Sequence, residues 1–152
     1  MRLSPHFSLV EFTRSARGEK EGFDNSPALD QIQNLAALCK QILEPLRRHF
    51  RRPIHISSGF RTEKLNQRLG GARQSQHLLG EAADLVVQDV SMGAVFQYLI
   101  QSTLPFDQCI YEKKGKTEWI HISYKRNRQE LLEAQYDEQG KPHYREVNRA
   151  TG

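Results

Sequence analysis

The longest periodic stretch of the chain runs from Ala28 to Leu46. Its apolar residues recur at the three- and four-residue spacing of one helix face, sustained over about five turns. Ser26 and Pro27 precede it as an N-cap and a proline suited to the first helical position. Pro53 marks its expected end. Because a helix with one apolar face must cover that face, we expect it to be the main packing surface for a sheet.

Strand-like segments follow this helix, each a short run of β-branched and apolar residues. They are predicted at residues 54–58, 82–87, 106–111 and 118–124. Shorter helices are predicted at 8–14 and 62–69 and for about ten residues after Ser91, while residues 15–25 are predicted as an exposed loop. The order of elements predicts an α+β fold in which a small antiparallel sheet packs against helices.

Length and composition favour one globular domain over residues 1–152. The chain is 38% hydrophobic and 26% charged, which allows a modest core. Its formal net charge of +4 comes largely from basic clusters at residues 47–52 and 125–128. Such clusters can attract nucleic acid or an anionic cell-wall polymer, although a solvated face explains them more simply. Since no basic stretch is interleaved with aromatic residues, we do not expect a nucleic-acid partner, and we expect a monomer.

The amino-terminal residues lack the continuous apolar segment of a secretory signal. No other stretch approaches the length of a transmembrane helix. These features predict a protein that does not insert into membranes and is synthesised in the cytoplasm. Cys39 and Cys109 are expected to be buried free thiols, because their spacing matches no common metal or redox motif.

The candidate metal ligands and the candidate base lie in the segment Ser75–Asp84 and in a later predicted strand. His77, Asp84 and His121 are ligand types that a zinc ion accepts, and three protein ligands leave a position for water, as in catalytic zinc sites. Glu118, three residues before His121, is the candidate general base. In a regular strand the two residues face opposite sides, so both can act at one metal only if Glu118 precedes the strand or lies on a bulge.

These residues stand in a pattern that resembles a known hydrolase family. Ser-x-His-x-x-Gly-x-Ala-x-Asp is preceded by Ser58–Arg61 and followed by Glu-x-x-His. The pattern is similar to that of the zinc D-alanyl-D-alanine carboxypeptidases, which include vancomycin-resistance D,D-dipeptidases and phage L-alanyl-D-glutamate endolysins. The resemblance extends over roughly residues 7–124 and implies a Hedgehog-like fold. It also implies one zinc ion on His77, Asp84 and His121, with Glu118 as general base and Arg61 polarising the substrate carbonyl.

Other residues have weaker indications. Ser75 is expected to support the ligand loop or to hydrogen-bond the substrate, and Gln108 is a candidate for hydrogen-bond support of a ligand. His55 is expected to be an ordinary strand residue. Residues 126–152 are predicted to be a polar hairpin or partly disordered, with no assigned chemistry.

Three functional hypotheses follow. The first is a zinc metallopeptidase that cleaves peptidoglycan peptides, of D-Ala-D-Ala carboxypeptidase or L-Ala-D-Glu endopeptidase type. The second is a zinc-containing module that binds wall peptides without turnover, as the related Hedgehog domain suggests, and the third is a nucleic-acid-binding domain. Glu118 favours the first hypothesis over the second, because a binding module needs no base. A cytoplasmic wall peptidase would reach its substrate by phage-type lysis or would act on cytoplasmic precursors.

Overall fold

A mixed sheet forms the centre of the fold. The computed structural model of the chain describes residues 1–149, without the side chains of residues 16 and 17. At the amino terminus, β1 (Arg2–Ser4) and β2 (Phe7–Ser8) form a separate two-stranded sheet. The main sheet contains β3 (Ile54–Ser58), β4 (Ala82–Val87), β5 (Gln108–Lys114), β6 (Thr117–Ser123), β7 (Glu130–Tyr136) and β8 (Pro142–Glu146). Its spatial order is β3-β4-β6-β5-β7-β8, and its neighbours are antiparallel except for the parallel pair of β5 and β7.

The helices precede and interrupt these strands. They are α1 (Leu9–Thr13), α2 (Ala16–Glu21), α3 (Leu29–Leu38), α4 (Glu44–Phe50), α5 (Glu63–Arg68) and α6 (Met92–Gln101). The predicted α+β class is therefore confirmed, with a sheet that is mixed through one pair of strands. Helix α2 lies where the sequence predicted a loop. Its start is fixed locally by Ser15, whose hydroxyl accepts a hydrogen bond from the Gly18 N–H.

The predicted long helix is present, but it changes its winding in the middle. A π-helical turn, Cys39–Leu43, joins α3 to α4. Pro45 is the second residue after this turn. In a regular α-helix, a proline there would lack a hydrogen bond and would clash with the carbonyl four residues earlier, so the wider turn accommodates it. The helix ends at Phe50, before Pro53.

The two faces of the main sheet differ in character. On one face, alternate residues such as Ile56, Leu85 and Ile122 join the apolar core with the helices. On the other face the same strands present Asp84, His121 and a run of polar and aromatic residues toward a cleft. Because side chains alternate along each strand, the apolar residues face the core and the candidate functional residues face the cleft.

The carboxyl-terminal segment belongs to this sheet. For the tail the sequence allowed a polar hairpin or partial disorder, and within residues 126–149 the structure has a hairpin of β7 and β8. The last part of that prediction, residues 150–152, lies outside the described residues. Leu131 and Ala134 of β7 are buried, which anchors the hairpin against the rest of the domain. Among residues 1–149, none of the helices has the length and apolar character that crossing a membrane demands.

Helix α3 also fixes the segment that carries His77. A Cβ atom added to Gly80 would lie 2.5 Å from the Gln31 carbonyl oxygen of α3, so the two backbones touch. The side chain of Gln31 donates a hydrogen bond to the Leu78 carbonyl at 3.2 Å. Gly80 is therefore packed against helix α3 with no room for a side chain.

Replacement of Gly80 should reveal how tightly this segment is held. Gly80 and Gly70 both have a φ of 72°, but a Cβ on Gly70 would have no atom within 4 Å. We expect Gly70→Ala to lower the free energy of unfolding by about 1 kcal/mol through backbone strain alone. Gly80→Ala should lower it by about 2 kcal/mol or more, because it adds a backbone clash. Urea titration of both variants measures the difference, and equal losses would show that the contact with α3 is unimportant.

Candidate metal centre

Two neighbouring strands and one turn bring three candidate ligands together. Asp84 of β4 and His121 of β6 are direct cross-strand partners, and the His121 Nδ1 lies 2.9 Å from the Asp84 Oδ1. His77 comes from the 3₁₀ turn Gln76–Leu79, with its Nε2 3.4 Å from the same oxygen. One ligand atom from each residue lies within 4.8 Å of the other two, so the three residues could hold a metal ion.

The orientation of His77 suits metal binding. Its Nδ1 lies 2.6 Å from the Gly59 carbonyl oxygen, a group that can only accept a hydrogen bond. The proton of a neutral imidazole is therefore on Nδ1, and Nε2 presents its lone pair toward Asp84. The side chain of His77 is only 3% exposed. Its ring is held in one orientation, and a metal ion would find a donor already aimed at it.

Charge in the cluster follows from burial and from these contacts. Burial lowers the pKa of His77 and favours the neutral form that binds metals. For Asp84, burial would raise the pKa, but the neighbouring His77 imidazole and the hydrogen bond from His121 hold it well below its usual range. Burial also opposes the charged form of His121, yet its hydrogen bond to Asp84 raises the pKa of that imidazole. The cluster thus holds an ionised carboxylate between two imidazoles.

A cleft of about 1160 Å³ surrounds the cluster. Its walls come from the loop before β4 and from strands β4 to β8, and they include Arg61, Glu112, Trp119 and Tyr136. Cationic side chains also line it, at Lys114, Arg126 and Arg128. A smaller cavity of about 450 Å³ beside α1 and α2 contains none of the candidate ligands. The three candidate ligands therefore lie at the larger cleft.

Glu118, the predicted general base, is not brought to this cluster. Strands β5 and β6 pair without interruption, from Lys114 opposite Thr117 to Cys109 opposite Ile122. Strand β6 therefore has no bulge that could turn Glu118 toward the face of His121. Glu118 is exposed on the opposite face, where it accepts a hydrogen bond from the Tyr111 hydroxyl. The condition that the sequence set for its catalytic role is not met.

Glu112 takes the place in the cleft that sequence reasoning gave to Glu118. It pairs with Trp119 across β5 and β6, and it is 6% exposed. Burial and the Asp84 charge raise the pKa of its carboxyl group. The strand predicted from the sequence ends at residue 111, but β5 continues to Lys114. Alternation along β5 puts Glu112 on the same face as Ile110, and the pairing of Ile110 with His121 makes this the face of His121.

Arg61 lies at the entrance to the ligand loop. Its backbone N–H donates to the His77 carbonyl at 3.1 Å, and its side chain lines the cleft. The guanidinium Nε is buried without a hydrogen-bond partner in the part of the chain that is described. Burial lowers the pKa of this guanidinium, although arginine remains protonated. A buried cation with an unused donor is suited to an anionic or polarised group of a ligand.

Ser75 and Gln108 have different surroundings. The Ser75 hydroxyl accepts a hydrogen bond from the His77 N–H at 3.2 Å, so Ser75 caps the ligand turn. Gln108 lines the cleft and donates to the Glu130 carboxylate at 2.6 Å, with no hydrogen bond to a candidate ligand. His55 is exposed on β3 and lies outside the cleft.

Two histidines, an aspartate and a separate buried glutamate in one cleft are compatible with a metal-dependent hydrolase. The chain belongs to the peptidase M15 family, whose model matches residues 5–123. This match confirms the resemblance and supports a zinc metallopeptidase that acts on peptidoglycan. No curated protein matches the chain. The matched region ends with β6 and does not include β7 and β8.

The metal site can be tested with two histidine variants. We expect protein purified without added zinc to contain about one zinc ion per chain, since the donors are preorganised. His77→Ala should weaken zinc binding by more than about 100-fold, because it removes a ligand and not merely its support. His55→Ala, an exposed histidine of the same sheet, should keep the metal. Elemental analysis after dialysis measures both, and full zinc content in His77→Ala would place the metal elsewhere.

Proposed function

We propose that the protein is a zinc metallopeptidase that hydrolyses peptide bonds in peptidoglycan stem peptides. The bond is of D-Ala-D-Ala carboxypeptidase or L-Ala-D-Glu endopeptidase type. His77, Asp84 and His121 are the proposed zinc ligands, Glu112 is the proposed general base, and Arg61 stabilises the reacting carbonyl. The observation that carries the proposal is the convergence of three candidate ligands and a separate buried carboxylate in one cleft.

The donor set agrees with zinc. Two imidazoles and one carboxylate within 4.8 Å of one another form a three-ligand set of the kind found in catalytic zinc sites. When bound, zinc supplies Lewis-acid activation of water and of the peptide carbonyl. The hydrogen bond from His77 to Gly59 supports the proposal because it holds one imidazole in the required tautomer.

Glu112 is suited to proton transfer by its environment. Its raised pKa brings the carboxyl group closer to neutral pH, where a general base works best. The Trp119 indole N–H donates to its Oε2 at 3.0 Å and the Tyr136 hydroxyl donates to its Oε1 at 2.7 Å. Each oxygen keeps a second lone pair for the proton of the attacking water. Glu112 then delivers that proton to the leaving amine. A module that only binds peptides would not need this group.

Arg61 supplies positive charge beside the reacting carbonyl. Its side chain lines the same cleft as Asp84 and Glu112, and its buried Nε has no hydrogen-bond partner within residues 1–149. As the water adds, negative charge develops on the carbonyl oxygen, and a fixed cation in a partly dehydrated cleft stabilises it strongly.

The cleft also suits the substrate. In both proposed substrates, the residue on the leaving side of the scissile bond carries a carboxylate. Arg126 and Arg128 are exposed cations on the wall of the cleft and can bind such a group. The Asp107 carboxylate accepts a hydrogen bond from the Arg128 Nε at 3.1 Å, which orients that guanidinium. Both guanidinium groups also pair with the buried Asp107 carboxylate, and they are the proposed partners of the substrate carboxylate.

Two matched variants test the base. Glu112→Gln keeps the shape of the side chain but cannot accept a proton, so we expect hydrolysis to fall by about 100-fold or more. Glu118→Gln makes the same chemical change on the opposite face of the sheet and should leave the rate near that of the parent. Digestion of defined muropeptides, followed by mass spectrometry, measures the rates and identifies the bond that is cleaved.

The same comparison includes a control for the metal. Both variants should retain zinc and the parental melting temperature, since neither residue is a proposed ligand. A slow Glu118→Gln enzyme beside a fast Glu112→Gln enzyme would return the base to Glu118. Loss of zinc from Glu112→Gln would make Glu112 a ligand.

Arg61 should act mainly on the transition state. We expect Arg61→Ala to lower kcat by about 100-fold while KM changes little, because the charge on the carbonyl oxygen develops only during reaction. Arg61→Lys should recover part of the rate, since it restores charge without the planar fork. Steady-state kinetics on the cleaved muropeptide gives both constants. An unchanged kcat with a raised KM would assign Arg61 to substrate binding.

A further inference from the structure

The hairpin of β7 and β8 lies outside the region that matches the family, yet it forms one wall of the cleft. Leu132, Tyr136 and Tyr144 of this hairpin line the cleft together with the candidate ligands. The match ends at residue 123, so family membership assigns no role to these side chains. One of them, Tyr136, lies beside the candidate base Glu112.

The hairpin is held firmly enough to place a side chain accurately. Strand β7 pairs in parallel with β5. The pairing begins with Gln108 opposite Glu130 and ends with Lys113 opposite Gln135, and Glu112 lies opposite Ala134. Ala134 is 1% exposed, and the Val147 N–H after β8 donates back to the Leu131 carbonyl at 2.9 Å. Tyr136 lies two residues beyond Ala134, so both point to the cleft face.

Tyr136 contacts the base directly. Its hydroxyl donates to the Glu112 Oε1 at 2.7 Å, while the Trp119 indole donates to the other carboxylate oxygen. The rings of Tyr136 and Trp119 are 5.7 Å apart and tilted by 43°. Two rigid aromatic donors thus hold the carboxylate, one from the family region and one from the hairpin.

We propose that Tyr136 is a positioning residue, which fixes the plane of the Glu112 carboxylate for proton transfer. The inference rests on the proposed role of Glu112 as base. The terminal torsion of a glutamate is broad, so a carboxylate bound only by Trp119 can rotate about that one contact. A second donor from a separate strand removes this freedom and keeps one lone pair of each oxygen directed at the water. The carboxyl-terminal hairpin thereby completes the catalytic cleft.

The opposite face of the sheet provides a matched control. Tyr111 of β5 donates to Glu118 of β6 there, in a tyrosine–glutamate hydrogen bond between two neighbouring strands. Tyr111 lies beside Phe96 of α6 at a ring distance of 5.5 Å, away from the cleft. Tyr111→Phe therefore removes the same type of bond without touching the proposed machinery.

The test compares these tyrosines by kinetics of muropeptide hydrolysis with the zinc-loaded enzyme. Tyr136→Phe keeps the ring and removes only the hydroxyl, and we expect it to lower kcat by about 10-fold with little change in KM. Zinc content and melting temperature should stay at parental values. Tyr111→Phe should keep the parental kcat. A Tyr136→Phe enzyme with the parental kcat, or with a change confined to KM, would overturn the inference.

A double-mutant cycle shows whether Tyr136 acts through Glu112. In a Glu112→Gln background, Tyr136→Phe should have almost no further effect on kcat, because the group that it positions is already inactive. A further loss of about 10-fold there would mean that Tyr136 acts independently, which overturns the positioning role. The cycle also separates the two proposals. If Glu112→Gln is slow but Tyr136→Phe is normal, only the inference fails, whereas a fully active Glu112→Gln enzyme or an inactive parent refutes the proposed function itself.

Discussion

The cross-strand pair of Asp84 and His121 is the contact on which the site depends. It exists because β4 and β6 pair in one register, with Asp84 directly opposite His121. A slip of either strand by one residue would turn its ligand into the apolar core and bring a core residue of that strand into the cleft. The buried residues Ala83, Leu85, Ile120 and Ile122 on the other face therefore specify the site as firmly as its own chemistry does. His77 is added to this pair by a short turn that is docked on helix α3.

Much of this arrangement could be predicted from the sequence. The helical period of residues 28–46, the strand at 82–87 and the cluster of His77, Asp84 and His121 all depend on local patterns that survive in the fold. Helix α2 was missed because its cap is local and its sequence has no apolar stripe. The apolar spacing does not reveal the π turn, because Pro45 changes the hydrogen bonding of the helix and not the order of its apolar residues.

The choice of base shows where sequence reasoning reaches its limit. Glu118 stands in the Glu-x-x-His pattern, but a spacing of three places two residues of a regular strand on opposite faces. Only the pairing of β5 with β6 shows that Glu112, on another strand, shares the face of His121. The hairpin wall is a similar case, because its parallel pairing with β5 joins segments that no local pattern connects. Contacts between strands thus decide the parts of the site that motifs cannot.

The central claim is that a zinc ion binds on the cleft face of the sheet, between β4, β6 and the turn that carries His77. Anomalous diffraction at the zinc edge, measured on crystals of the zinc-loaded protein, tests it most directly. The account predicts one strong peak per chain, at bonding distances of about 2.0–2.2 Å from His77, Asp84 and His121. The carboxylate of Glu112 should lie in the same cleft without bonding the metal, and Glu118 should remain on the opposite face. A peak bonded to Glu118 or at another place in the chain would contradict the account.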